Sequence, residues 1–136
     1  MRVFLDTNIA LDLILEREEF VDDAKMVVAY CLNCQHSLYL SSISFANISF
    51  IARKGYGGKD VKEILRLLRK LVRVSPSDEQ VVDDSLIADN KDFEDAMQYY
   101  SASAVNADVI ITRNVQDFPL GSIKIVNPKD FLRLVL

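Results

Sequence analysis

The sequence predicts an α/β fold in which helices cover both faces of a central, mostly parallel five-stranded sheet. Three observations carry that prediction. Short apolar runs alternate with segments of helical periodicity, the pattern left by strand–helix–strand units. Gly and Pro number only four and three, and no linker, repeat or low-complexity tract breaks the alternation. The 136 residues suit one domain, 1–136, long enough to bury roughly two-thirds of the surface of the unfolded chain.

Each element follows in order. "RVFL" (2–5) is a short apolar run ending at Asp6, as a buried strand does. "TNIALDLILE" reads as a helix. A second helix is expected over about 19–35, with Phe20, Ala24, Val27, Val28, Cys31 and Gln35 spaced for one face. "SLYL" (37–40) is the second strand. Ser41 and Ser42 can cap a helix running through about Lys54, where "GYGG" (55–58) stops it. A further helix spans about 59–72 with Val61, Ile64, Leu65, Leu68 and Leu71 inward, and "RVSP" (73–76) closes a short strand. Ser77 with Gln80 fits a capping box for a helix to about Ala88. Asp92 is placed to cap the next helix. "DVIIT" (108–112) is a buried strand, "SIKIV" (122–126) a weaker one, and a short helix finishes the chain.

Composition excludes several classes. Residues Met26 to Ala52 carry no Asp, Glu, Lys or Arg, but Asn33, Gln35, His36, Asn47 and several serines unfit them for a hydrocarbon slab. Arg2 is followed by only three apolar residues before Asp6, so no secretory leader is expected, and a cytoplasmic protein is. The "CLNC" pair, Cys31 and Cys34, sits late in an amphipathic segment, where reduced structural thiols fit better than a redox motif or, with His36, half of a zinc site. A net charge of −4 argues weakly against a nucleic-acid binder.

The chemistry concentrates in carboxylates. In parallel sheets, sites form beyond the C-terminal ends of the strands. Asp6 lies just past the first strand, Asn114 and Asp117 just past "DVIIT", and Asp95 in the first turn of the helix that leads into that strand. Asp92, Glu94 and Asp95 crowd into four positions ahead of an apolar segment, so something must offset their repulsion. Acids converging without His or Cys suit a hard cation such as Mg²⁺ or Mn²⁺. The plainer alternative is a set of helix caps and first-turn acids complementing the helix dipole. An aspartyl phosphatase built on "FLDTN" fits less well, because Asn8 stands where a partner acid is needed.

"FLDTNIALDLI", "SSISFANISFIARK" and "DFEDAMQYYSASAVNADVIITRNVQDF", in this order, resemble a PIN domain over essentially the whole chain, and within that family the VapC-like toxin nucleases. The resemblance implies a three-layer α/β/α sandwich, Mg²⁺- or Mn²⁺-dependent cleavage of RNA, a homodimer and a cognate antitoxin. It assigns Asp6 and Asp95 as catalytic acids and metal ligands. It places Asn114 and Asp117 in the fourth acidic region as further catalytic residues, Asp117 also as a metal ligand, and Asn8 and Thr112 at supporting polar positions. The second family acid falls on Asn47, which keeps an oxygen ligand but drops a charge. A weakened domain that binds RNA or protein without cutting is therefore the alternative. Lys62, Arg66, Arg69 and Arg73 recur at helical spacing and form one face, either a solvated surface or a track for RNA phosphates. Tyr99 and Tyr100 could stack on bases, but suit the core or a dimer contact better.

Overall fold

The computed structural model describes residues 1–136. Strands β1 (Arg2–Leu5), β2 (Ser37–Ser41), β3 (Arg73–Ser75), β4 (Val109–Ile111) and β5 (Lys124–Val126) form one sheet. Its order is β3-β2-β1-β4-β5, and every pair is parallel. The helices are α1 (Thr7–Ile14), α2 (Val21–Asn33), α3 (Ser42–Ala52), α4 (Gly58–Leu71), α5 (Glu79–Ile87), α6 (Phe93–Ala104) and α7 (Pro128–Val135). This is the expected α/β/α sandwich.

Strand β1 sits at the centre and explains the two layers. Val3 pairs in register with Leu38 on one side and Val109 on the other. Its side chains alternate: Val3 and Leu5 enter the larger core with residues of α1, α2, α3, α4 and α7, whereas Phe4 enters a smaller core with Tyr39, Tyr99, Ala102 and Ile110. Both faces are buried, so the strand reads as a continuous apolar run rather than an alternation. The chain winds from β1 through β2 to β3, then crosses back to place β4 on the far side of β1. The β1–β4 boundary is thus the switch point, where neighbouring connections diverge and leave a crevice.

Several boundaries differ from expectation. Asp78, not Ser77, caps α5 by accepting from Val81 N at 3.1 Å; the hydroxyl of Ser77 instead accepts from Ile43 N. Helix α3 ends at Ala52, ahead of "GYGG". Gln35 leaves the α2 face in a left-handed turn at φ 58°. Leu71 is exposed. Arg73 belongs to edge strand β3, so the basic face of α4 holds Lys62, Arg66 and Arg69 without it. The expected caps at Ser41 and Asp92 are present, accepting from Ser44 N and Asp95 N. The uncharged stretch 26–52 is divided among α2, β2 and α3, and no helix is long and apolar enough to cross a membrane.

Candidate metal centre at the sheet switch point

Asp6 follows β1 directly and caps α1. Its backbone N–H still extends the sheet by donating to Ile111 O. Its carboxylate is buried and fixed at both oxygens: Oδ1 accepts from Thr7 N at 2.8 Å and Oδ2 from Thr112 Oγ1 at 2.8 Å. Thr112, just past β4, in turn accepts from Asn114 N at 3.1 Å. The switch-point crevice is therefore laced across by a short chain of hydrogen bonds. Burial pushes the Asp6 carboxyl above its ordinary range, against the two hydrogen bonds that favour its anion.

Asp95 faces the same crevice from α6. It is 9% exposed, and no donor of the chain bonds its carboxylate; its backbone N–H donates to the capping carboxylate of Asp92. Burial, and then the charges of Asp6, Asp92, Asp117 and Glu94, raise its pKa to about 7. A buried carboxylate among four others, with no compensating donor, is costly to keep ionised. It is the acid of this molecule with most to gain from a cation.

The cleft between them has a volume of about 440 Å³ and is also lined by Asn8, Asn47, Phe50, Asp92, Glu94 and Asn114. Expectation and structure agree in bringing Asp6, Asn47, Asp95 and Asn114 together. Asp117 does not line the cleft. It lies exposed on a 3₁₀ turn, Val115–Asp117, and acts on Asp95 through its charge. Asn8 lines the cleft while accepting a long bond from Arg17 at 3.4 Å. No three acidic, imidazole or thiolate groups stand close enough to share an ion in this arrangement. Like charges hold carboxylates apart, and the donors present are hard oxygens of the kind that Mg²⁺ or Mn²⁺ takes. Asp6, Asp95 and neighbouring acids thus fit such an ion in chemistry, with convergence left to their side chains.

Three further residues matter. Asn47 Nδ2 donates to Glu94 Oε1 at 3.1 Å across the cleft mouth. Phe50 projects beside the acids at 64% exposure. Beneath them, Gln98 is fully buried, and its Nε2 donates to both Thr7 Oγ1 and Ser44 Oγ, at 2.7 and 2.9 Å, while its Oε1 finds no partner. It joins α6, α1 and α3, the helices carrying or following the cleft residues. Its sequence signal is a lone amide three residues after Asp95, one turn into α6. Elsewhere, Lys62, Arg66, Arg69 and Lys70 line a separate shallow concavity with Phe45 and Leu65. Tyr99 is buried in the smaller core and packs edge-on against Tyr100. Cys31 is buried and its thiol is pushed up to about 11, whereas Cys34 is exposed; Cys31 is a packing residue.

The model of the PIN domain family matches residues 2–116. No curated protein matches the sequence. Among solved structures, a chain of VapBC2 from Rickettsia felis, bound to a promoter DNA fragment, superposes with a TM-score of 0.69 at 16% identity, covering 93% of this chain and 98% of that one. A chain of VapBC-1 from nontypeable Haemophilus influenzae gives 0.68 at 21%, covering 95% and 99%. One of a toxin–antitoxin complex from Klebsiella pneumoniae gives 0.66 at 23%, covering 93% and 97%. These likenesses establish a shared fold, and the family match spans the first four strands and six helices, with every residue that lines the cleft among them. The chain belongs to the PIN domain family.

Proposed function

We propose that this protein is a divalent-cation-dependent endoribonuclease, the toxin of a toxin–antitoxin pair, working at the Asp6–Asp95 cleft. The observation that carries the proposal is Asp95: buried, without a donor, and surrounded by other acids. Asp6 and Asp95 would hold Mg²⁺ or Mn²⁺, with Asn114 and Asp117 at the far edge. When bound, such an ion acidifies water and offsets charge on a phosphodiester under attack. The chain's own part is orientation. Thr7 and Thr112 fix the Asp6 carboxylate, Asn114 fixes Thr112, and exposed Phe50 offers an apolar face beside the acids on which a base can stack. The structural likeness to chains of toxin–antitoxin complexes supports an antitoxin partner; a cytoplasmic homodimer is what the sequence resemblance adds to this reading.

The test is cleavage of single-stranded RNA with Mg²⁺, with Mn²⁺ and with EDTA, using the native protein, Asp6→Asn and Asp95→Asn. Cleavage that needs the cation and both acids supports the proposal. Full cleavage in EDTA, or by Asp95→Asn, overturns it. The amides at Asn47 and Asn114 favour a second reading, a domain that binds RNA or protein without cutting. RNA bound but left intact with either cation would select it.

A further inference from the structure

Position 47, where the resemblance to the family leads one to expect an acid, holds an amide. What the amide does is visible: its donor end is spent on Glu94. An Asp or Glu at position 47 would meet Glu94 as a second anion and be repelled. Asn instead turns that repulsion into a hydrogen bond, and it leaves Glu94 Oε2 free of any other partner in the chain. Glu94 lines the same cleft as Asp6 and Asp95. Asp95, buried with no donor of its own, supplies the independent sign that a cation belongs there.

We propose that the roles of α3 and α6 are exchanged in this protein: Glu94 supplies the anionic oxygen that position 47 lacks, and Asn47 is the positioning residue that aims it into the cleft. The inference rests on the metal-dependent reading above and deepens it. The ion would then draw on three carboxylates, Asp6, Glu94 and Asp95, two of them adjacent on the first turn of α6, whose side chains must rotate to converge on it. Asn47 acts through Glu94 rather than on the ion.

Titration of the full chain with Mn²⁺, followed by electron paramagnetic resonance of the free ion, tests this without reference to cleavage. Native protein, Glu94→Gln, Asn47→Ala, the double variant and Asp95→Asn are compared. Glu94 is exposed and Asn47 half-exposed, so their replacement leaves the core untouched. Glu94→Gln should weaken Mn²⁺ binding by at least about tenfold, and Asn47→Ala by about tenfold, the lower end of what loss of an orienting partner costs. The double variant should bind no more weakly than Glu94→Gln alone, because Asn47 has nothing left to position. If Glu94→Gln binds within about twofold of native while Asp95→Asn loses more than tenfold, the metal centre stands and the role of Glu94 falls. If the two single losses multiply in the double variant, the positioning role falls. If native protein and Asp95→Asn bind alike, or neither binds, the metal centre itself is wrong, and this inference with it.

Discussion

Two buried aspartates of this molecule meet opposite fates. Asp12 on α1 is 1% exposed, and its carboxylate is closed by arginines. Arg17 Nη1 lies at 3.2 Å, and Arg113 approaches side-on, with Nη2 at 3.2 Å in hydrogen-bond alignment and Nε at 2.9 Å without it. Arg113 also stacks on Phe20, 3.9 Å from the ring centroid. Asp95 is almost as buried, but has no donor and four acidic neighbours. The same side chain is a finished structural joint in one place and an unsatisfied charge in the other. Arg113 could not serve both, because its guanidinium is committed to Asp12 although its neighbour Asn114 lines the cleft. Partners, rather than burial, separate the two acids.

The sharpest way to break this contrast is to neutralise each acid. Asp95→Asn should lower RNA cleavage by at least about a thousandfold, consistent with the size of effects at charged groups that act on a transition state. In cation-free buffer above about pH 7, where Asp95 is ionised, it should raise the melting temperature, because an unpaired buried charge is removed. Asp12→Asn should do the reverse to stability. It strands two arginines that are 33% and 26% exposed, so the cost should be about 2 kcal/mol, below that of a fully buried pair. Thermal unfolding of the two variants beside the native chain measures both signs, and a fall in melting temperature for both would erase the contrast.

pH sharpens the same comparison. The folded chain holds the Asp95 proton up to about pH 7, against an ordinary value near 3.8. A carboxyl raised in the folded state gives stability that is complete below the unfolded value and is lost as pH rises through the folded one. Stability in EDTA should therefore decline between about pH 4 and about pH 7 (burial of Asp6 adds in the same direction), and Asp95→Asn should flatten the decline. Denaturant midpoints across that range decide it; an equal slope in the variant would clear Asp95 of the effect.

The smallest expected effect lies farthest from the acids. If Lys62 and Arg66 on α4 track phosphates, Lys62→Glu with Arg66→Glu should weaken RNA binding across sequences and reduce the salt slope by about two. Mn²⁺ affinity should stay as it is. Filter binding at several salt concentrations gives the slope, and an unchanged one would mark α4 as a solvated face.

Much of this was legible in the sequence for local reasons. The β1 and β4 runs are apolar on both faces because both faces are covered, and Asp6 and Asp95 were found because strand ends and first helical turns have sequence signals. What stayed hidden depends on distant partners. Asn47 and Glu94 are joined only by the fold, so their hydrogen bond leaves no mark in either segment. Asp12 reads as an ordinary polar position until Arg113, 101 residues on, arrives beside it. Arg73 was misplaced because charge spacing runs on past Leu71 although the helix stops there. Ser77 and Asp78 are both good caps, and no local rule chooses between them.

The amide of Gln98 sets a mechanical condition on the cleft. By donating to Thr7 and Ser44 at once, it pins the floor beneath Asp6, Asp95 and Asn47 to a single geometry. Any adjustment to the radius of an incoming ion must then come from rotation of the carboxylate stems, not from sliding of helices. The short stem of Asp6, held at both oxygens, can give very little; that of Glu94 is one methylene longer and can give most. Discrimination between a small ion and a larger one would accordingly reside in the reach of a single flexible side chain above a rigid platform.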